Sequence, residues 1–260
     1  MLTLLSPAKK LNMIPVETGV PITKPRLRKD TRELAGVAKA QSAKNLKRLM
    51  HISDNLANMN FERFQAFNLD NRSNSAKAAG LAFDGDVYWG LEADSLSDEA
   101  LVYAQDHLRI LSGLYGVLRP MDAIQPYRLE MGTKLANGRG KSLYEFWGAR
   151  IADRLKADLA GHADKTVVNL ASNEYFKAVD TKALGKRVIG AKFLNVKDGK
   201  PRSLMYYAKH ARGAMARWII ENCVDRADGL KDFNAGGYAL DATASTADEL
   251  VFTRPQPPLK

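Results

Sequence analysis

The sequence predicts one α/β or α+β domain over residues 1–260, a mixed β-sheet with surrounding helices. Three observations lead there. Short β-prone runs interleave with amphipathic stretches along the whole chain. Asp198-Gly199 sits between two β-prone runs, as in a hairpin turn. Apolar runs end in Ser6 and Ser172 corners, the strand ends where α/β proteins place their sites.

Taken in order, Met1–Leu5 is an apolar strand stopped by Ser6-Pro7-Ala8-Lys9-Lys10, and Pro15 to Pro25 is an extended loop because its prolines forbid a regular helix. Asp30-Thr31-Arg32-Glu33 resembles a capping box and opens a helix carrying Leu34, Val37, Ala38, Leu46 and Leu49; a second helix follows from Ser53 to about Phe67. Asn71–Ser75 is a polar turn and Ala76–Phe83 a short helix. Gly85–Leu91, GDVYWGL, is a packed loop or short strand whose Tyr88 and Trp89 suit core packing and, secondarily, base stacking.

Ser97-Asp98-Glu99 starts a helix with Leu101, Ala104, Leu108 and Leu111 on one face. If Gln125–Glu130 is extended, Arg128 and Glu130 share a side. Ser142-Leu143-Tyr144-Glu145 is a capping box for a helix reaching Leu159. Thr166–Leu170 is a strand leading to a helix capped by Ser172. Arg187–Asn195 and Arg202–Tyr206 are the hairpin strands, Tyr207–Cys223 is a helix with Lys209 and Arg212 on one face, and Leu250–Arg254 is an edge strand.

The most unusual stretch is Leu108–Thr133. A helix entering Ser112-Gly113-Leu114-Tyr115-Gly116 and leaving through Arg119-Pro120 would form a helix-hairpin-helix. Gly113 and Gly116 would let a phosphodiester approach the backbone, and Arg109, Arg119 and Arg128 would neutralise it. The alternative is an ordinary helical hairpin with Gly113 as a helix terminator.

An apolar fraction of 45% with 26% charged residues is that of a soluble globular chain. There is no apolar run of about 18 residues for a membrane span, and MLTLLSPAKKL lacks the charge and length of a signal peptide. Cys223 is the only cysteine, which excludes an internal disulfide or multi-cysteine metal site and points to the cytoplasm. Its place after Trp218-Ile219-Ile220 predicts a core filler. The net charge of +10 is concentrated: Lys24–Arg48 holds nine Lys/Arg against two acids, and Lys182–Arg217 holds ten against Asp198 alone. If these windows share a face, that face suits a polyanion.

LLSPAK at Leu4–Lys9, GDVYWGL, the string LRILSGLYGVLRPMDAIQPYRLEMGT, NLASNEYFK at Asn169–Lys177 and ELVFTR at Glu249–Arg254 together resemble the YaaA family of bacterial peroxide stress proteins. The resemblance covers nearly the whole chain. It implies a cytoplasmic single-domain α/β protein that protects against hydrogen peroxide, limits damage from intracellular iron, and binds DNA through a helix-hairpin-helix and a basic cleft. Lys10-Leu11-Asn12 departs from the family's usual Thr-Leu-Asp, which removes a carboxylate from that position.

The leading expectation is therefore binding of double-stranded DNA, possible damaged duplex included, with little sequence preference. Lys9, Arg109, Ser112, Gly113, Tyr115, Gly116, Arg119, Arg128, Lys209 and Arg212 are the candidate phosphate contacts. The alternative is an enzyme acting on a nucleotide or damaged base, with Lys9 or Arg128 holding phosphate and Glu130 or Glu174 as acid or base, beside Ser6, Tyr127, Ser172 and Asn173. No cofactor is expected. No metal site is expected either, because His51, His107, His162 and His210 are scattered without a helical ligand pair, and Glu92, Asp94 and Asp98 read as a solvated helix start.

Overall fold

The protein is described by a computed structural model over residues 1–70 and 76–257; the expected turn at Asn71–Ser75 lies outside the described residues. The main sheet comprises β1 (Leu2–Leu5), β2 (Leu108–Ser112), β3 (Gly116–Leu118), β4 (Val167–Asn169), β5 (Val188–Lys197), β6 (Lys200–Arg202), β7 (Ala239–Leu240) and β8 (Glu249–Pro255). Their order is β7-β8-β5-β4-β1-β2-β3, with β6 paired to β5. β1 runs parallel to β2 and β4, and β4–β5 and β5–β8 are also parallel. The hairpin partners β3, β6 and β7 run antiparallel, so the sheet is mixed.

All four residues of β1 are buried, as expected for an inner strand covered on both faces. The shared direction of β1, β2 and β4 brings Leu5-Ser6, Ser112 and Asn169 to one edge. That edge is where the loops carrying most polar candidates leave the sheet.

The principal helices are α1 (Arg28–Lys39), α2 (Ala43–Met50), α3 (Asp54–Ala66), α4 (Asp86–Leu91), α5 (Asp98–His107), α6 (Arg150–Asp158) and α7 (Met205–Glu221). α7 crosses α4 at backbone contact. A Cβ on Gly90 would lie 2.1 Å from the His210 carbonyl oxygen, and one on Gly213 would lie 1.7 Å from that of Val87. Only glycine permits this approach, which explains why GDVYWGL is a helix packed under α7 rather than a loop or strand.

The central string differs from expectation in kind. The helix stops at His107, and Leu108–Ser112 pairs with Gly116–Leu118 as a β-hairpin, so no helix-hairpin-helix forms there. All five residues of β2 are buried, and a run hidden on both faces beside β1 suits a strand better than an amphipathic helix. Gly116 takes φ +72, and a side chain there would strike Trp147. The tight turn was legible; the elements flanking it were not.

Smaller corrections have local causes. The helix expected from Asp30 to Leu49 is broken at Ser42, whose hydroxyl accepts from Asn45 N and caps α2. The helix from Ser142 is interrupted at Gly148, φ +47, before α6. Lys77–Ala78 is a short strand ahead of a helical turn at Ala79–Ala82. Arg202 ends the second hairpin strand, and α7 begins at Met205. β8 is covered outside by β7 and is no edge. Cys223 does not fill core: it is exposed, at φ +48 just past α7.

Candidate functional site

At the strand-end edge the chain assembles a polar cluster from three loops. Ser6, after β1, accepts from Ser172 N at 2.8 Å through its hydroxyl, which lies 3.3 Å from the Ser172 hydroxyl. Its carbonyl accepts from the Tyr88 hydroxyl at 3.0 Å. Ser112, at the end of β2, shares a 2.6 Å hydrogen bond with the Tyr127 hydroxyl. Burial pushes the hydroxyls of Tyr88, Tyr127 and Tyr175 up, so all three remain protonated at neutral pH.

Glu130 is the charged centre of this cluster. Its Oε1 lies 3.1 Å from Lys9 Nζ and 3.0 Å from Arg128 Nη2, confirming that Arg128 and Glu130 share a side. Lys9 is 69% exposed and free to move, whereas Arg128 is largely buried and its Nε has no hydrogen-bond partner among the described residues. Glu174 stands on the neighbouring corner and accepts from Gly132 N at 2.9 Å. One carboxylate between two cations can release a cation to an incoming anion and accept a proton.

The cations on α7 behave differently from one another. Lys209 is paired with Asp86 at 3.5 Å. Arg212 is half-buried, its pKa is lowered by burial, and among the described residues it makes no ion pair or hydrogen bond. A guanidinium left in that condition is a candidate anion ligand.

Most residues of the central string are unsuited to touching a phosphate. Ser112, Gly113, Tyr115 and Gly116 are buried, and a Cβ on Gly113 would meet the Leu129 carbonyl at 2.2 Å, so its bareness serves chain packing. Arg109 is 2% exposed; its Nε donates to Asp158 at 2.7 Å and its Nη1 to the carbonyls of Gln105 and Leu108. Arg119 donates through Nε and Nη2 to Asp122 and through Nη2 to the Lys24 carbonyl. These arginines close the fold around buried carboxylates, Arg109 around the distant Asp158 and Arg119 around Asp122 three residues on.

A helical hairpin does exist, elsewhere. α2 and α3 pack together across the turn His51-Ile52-Ser53, where His51 adopts φ +52 and the Ser53 hydroxyl caps α3 by accepting from Leu56 N. Lys44, Lys47, Arg48 and His51 are exposed around a groove of about 780 Å³ beside this turn. The surplus charge in Lys24–Arg48 was the sequence signal for it. A separate cavity of about 320 Å³, lined in part by Thr23, Lys24, Arg28 and Gln125, contains only Tyr115 of the expected site residues.

At the opposite end of β1 the structure joins residues the sequence scatters. His107, the last residue of α5, and His162 have rings 4.6 Å apart at 82°, with Asp106 beside both. Burial lowers His107 and, with the Met1 ammonium and His107 adding to it, brings His162 down to about 4, so both rings are neutral at pH 7.

Comparison with known proteins adds the family. The family model described as peroxide stress protein YaaA matches residues 1–244. A UPF0246 protein of Phenylobacterium zucineum is 52% identical over 258 residues, 99% of this chain and 96% of its own. UPF0246 proteins of Caulobacter vibrioides and Saccharophagus degradans are 53% and 49% identical over 99% and 98% of this chain and 100% of their own.

Proposed function

We propose, because this chain belongs to the peroxide stress protein YaaA family, that it binds double-stranded DNA largely without sequence preference and thereby limits iron-dependent oxidative damage. The observation that carries the reading is the helical hairpin α2–α3, whose Lys44, Lys47 and Arg48 stand exposed around one groove. Cations so placed neutralise phosphates without reading bases. Lys47 meets Asp54 at 2.8 Å, but both side chains are about half exposed or more, so the bridge is weak and yields to phosphate.

Covering DNA would shield it from hydroxyl radicals formed nearby. The same reading puts the protein in the cytoplasm; among the described residues no helix is long and apolar enough to cross a membrane. Fluorescence anisotropy of intact and gapped duplexes at several salt concentrations tests it. Log affinity should fall against log salt with a slope of about −0.9 per phosphate contacted. A flat titration removes the mechanism.

The strand-end cluster favours a second reading, an enzyme acting on a nucleotide or damaged base. Lys9 or Arg128 would hold phosphate and Glu130 or Glu174 would transfer the proton. Incubation with nucleotides and lesion-bearing oligonucleotides is expected to give a product whose rate drops about 10²- to 10⁴-fold in Glu130→Gln. Absence of any product from the unaltered protein counts against it.

A further inference from the structure

We propose that Asp106, His107 and His162 form a binding site for a divalent first-row transition cation. Their donor atoms all lie within 4.8 Å of one another. Asp106 Oδ2 is 3.6 Å from His107 Nε2 and 3.8 Å from His162 Nε2. Metal–donor bonds of about 2.0–2.1 Å in a tetrahedral site put donors about 3.3–3.4 Å apart, so the two Asp106–imidazole distances need little closure. Asp106 is 71% exposed and can rotate to supply it.

The second observation is an unpaired atom. His162 is 8% exposed, and its Nε2 is buried with no hydrogen-bond partner among the described residues, although buried imidazole nitrogens ordinarily have one. Its other nitrogen, Nδ1, is already engaged at 3.2 Å by the Met1 amine. His107 Nδ1 donates to the Met1 carbonyl at 3.1 Å, leaving its Nε2 lone pair toward Asp106; in His162 the Nδ1 lone pair faces the Met1 nitrogen, so a metal at Nε2 requires the ring hydrogen to move to Nδ1 and be accepted by that nitrogen. Backbone anchoring of the far nitrogen is how metal-ligating histidines are held.

The local field is divided: the Met1 ammonium and Arg109 oppose a cation at His162, whereas a helix end and three carboxylates favour one. Asp106 and His107 end the ten-residue helix α5, where the carbonyl end of the dipole favours a cation. Asp164 and Asp225 add negative charge at the neighbouring Met1 amine. Two imidazoles and one carboxylate, with remaining positions open to water, suit Zn²⁺ or Fe²⁺ and disfavour Mg²⁺, which prefers oxygen donors.

Equilibrium dialysis of the full chain against Zn²⁺, anaerobic Fe²⁺ and Mg²⁺ tests the site. One equivalent of Zn²⁺ or Fe²⁺ is expected, with no comparable uptake of Mg²⁺. Asp106→Asn and His162→Gln should each weaken binding at least about tenfold, since even outer partners of metal ligands are worth that much. His210→Gln, on α7, should not. Asp106→Asn alters an exposed side chain, so it remains decisive if His162→Gln fails to fold. No stoichiometric uptake, equal uptake of Mg²⁺, or binding unchanged by Asp106→Asn overturns the proposal.

Discussion

Replacing Lys44, Lys47 and Arg48 together by alanine is expected to weaken duplex binding by about 10²- to 10³-fold near 0.1 M salt and to reduce the salt slope by about 2.7. Both figures follow from counterion release. Each phosphate neutralised contributes ~0.9 to the slope, which near 0.1 M salt is worth almost a factor of ten in affinity. All three side chains are exposed, and the one ion pair lost among the described residues, Lys47–Asp54, is a surface pair worth at most about 1 kcal/mol. The fold should therefore survive. Arg119→Ala, compared on protein shown to be folded by circular dichroism because the change unpairs the buried Asp122, is the informative control: its guanidinium is committed to Asp122, so DNA affinity and slope should be unchanged. Loss of binding in Arg119→Ala with no effect of the triple substitution would return the phosphate site to the central string.

Asp158→Ala is expected to cost about 3–5 kcal/mol of folding stability, measured by urea unfolding. The Asp158 side chain is 1% exposed, accepts from Arg109 at 2.7 Å and from Arg26, and pairs with Arg154 at 2.6 Å. Its removal leaves Arg109, itself 2% exposed, as an uncompensated charge between β2 and α6. Breaking one side of such a pair is the costly case; exchanging both sides for apolar residues is not. A loss below about 1 kcal/mol would mean that water reaches Arg109 in the variant.

The same carboxylate gives a pH signature. Burial pushes its pKa up, but Arg109, Arg154 and Arg26 outweigh burial and hold it below the usual carboxylate range. A group depressed in the folded state contributes stability that is present above its unfolded pKa of about 3.9 and is lost as pH falls through its folded value. Acid unfolding of the unaltered protein should therefore steepen below about pH 4, and Asp158→Ala should show less of that dependence.

What the chain order carries was read well. Ser97 and Ser142 do cap helices, Ser53 does open α3, and Asp198-Gly199 does turn a hairpin, with both residues at positive φ. These signals are local because a cap or a turn is satisfied by atoms a few residues away. The polar loops after β1 and β4 could be assigned to strand ends for the same reason, and in the fold Lys9, Arg128 and Glu130 meet there.

The errors share one cause. Leu108–Ser112 has the spacing of a helix face, but its conformation depends on β1 lying beside it, and no neighbouring residue reports that. Arg109 and Arg119 read as phosphate ligands because residue type does not report their partners: Asp158 arrives on a distant helix, and Asp122, only three residues from Arg119, becomes a partner through its burial.

By itself the sequence determined the α/β class, the caps and turns, the basic windows and the family, because each of these is written in residue type, spacing or a contiguous string. The tertiary structure alone decided which charges are free to act. Pairing with Asp158 across the fold withdrew Arg109, burial of the neighbouring Asp122 withdrew Arg119, Lys44, Arg48 and Arg212 were left without an ion pair among the described residues and Lys47 with only an exposed one, and the parallel order of β1, β2 and β4 set the sheet edge where Glu130 stands. It also brought His107 to His162, since side chains far apart in sequence acquire a common chemistry only when the packed core fixes their distance.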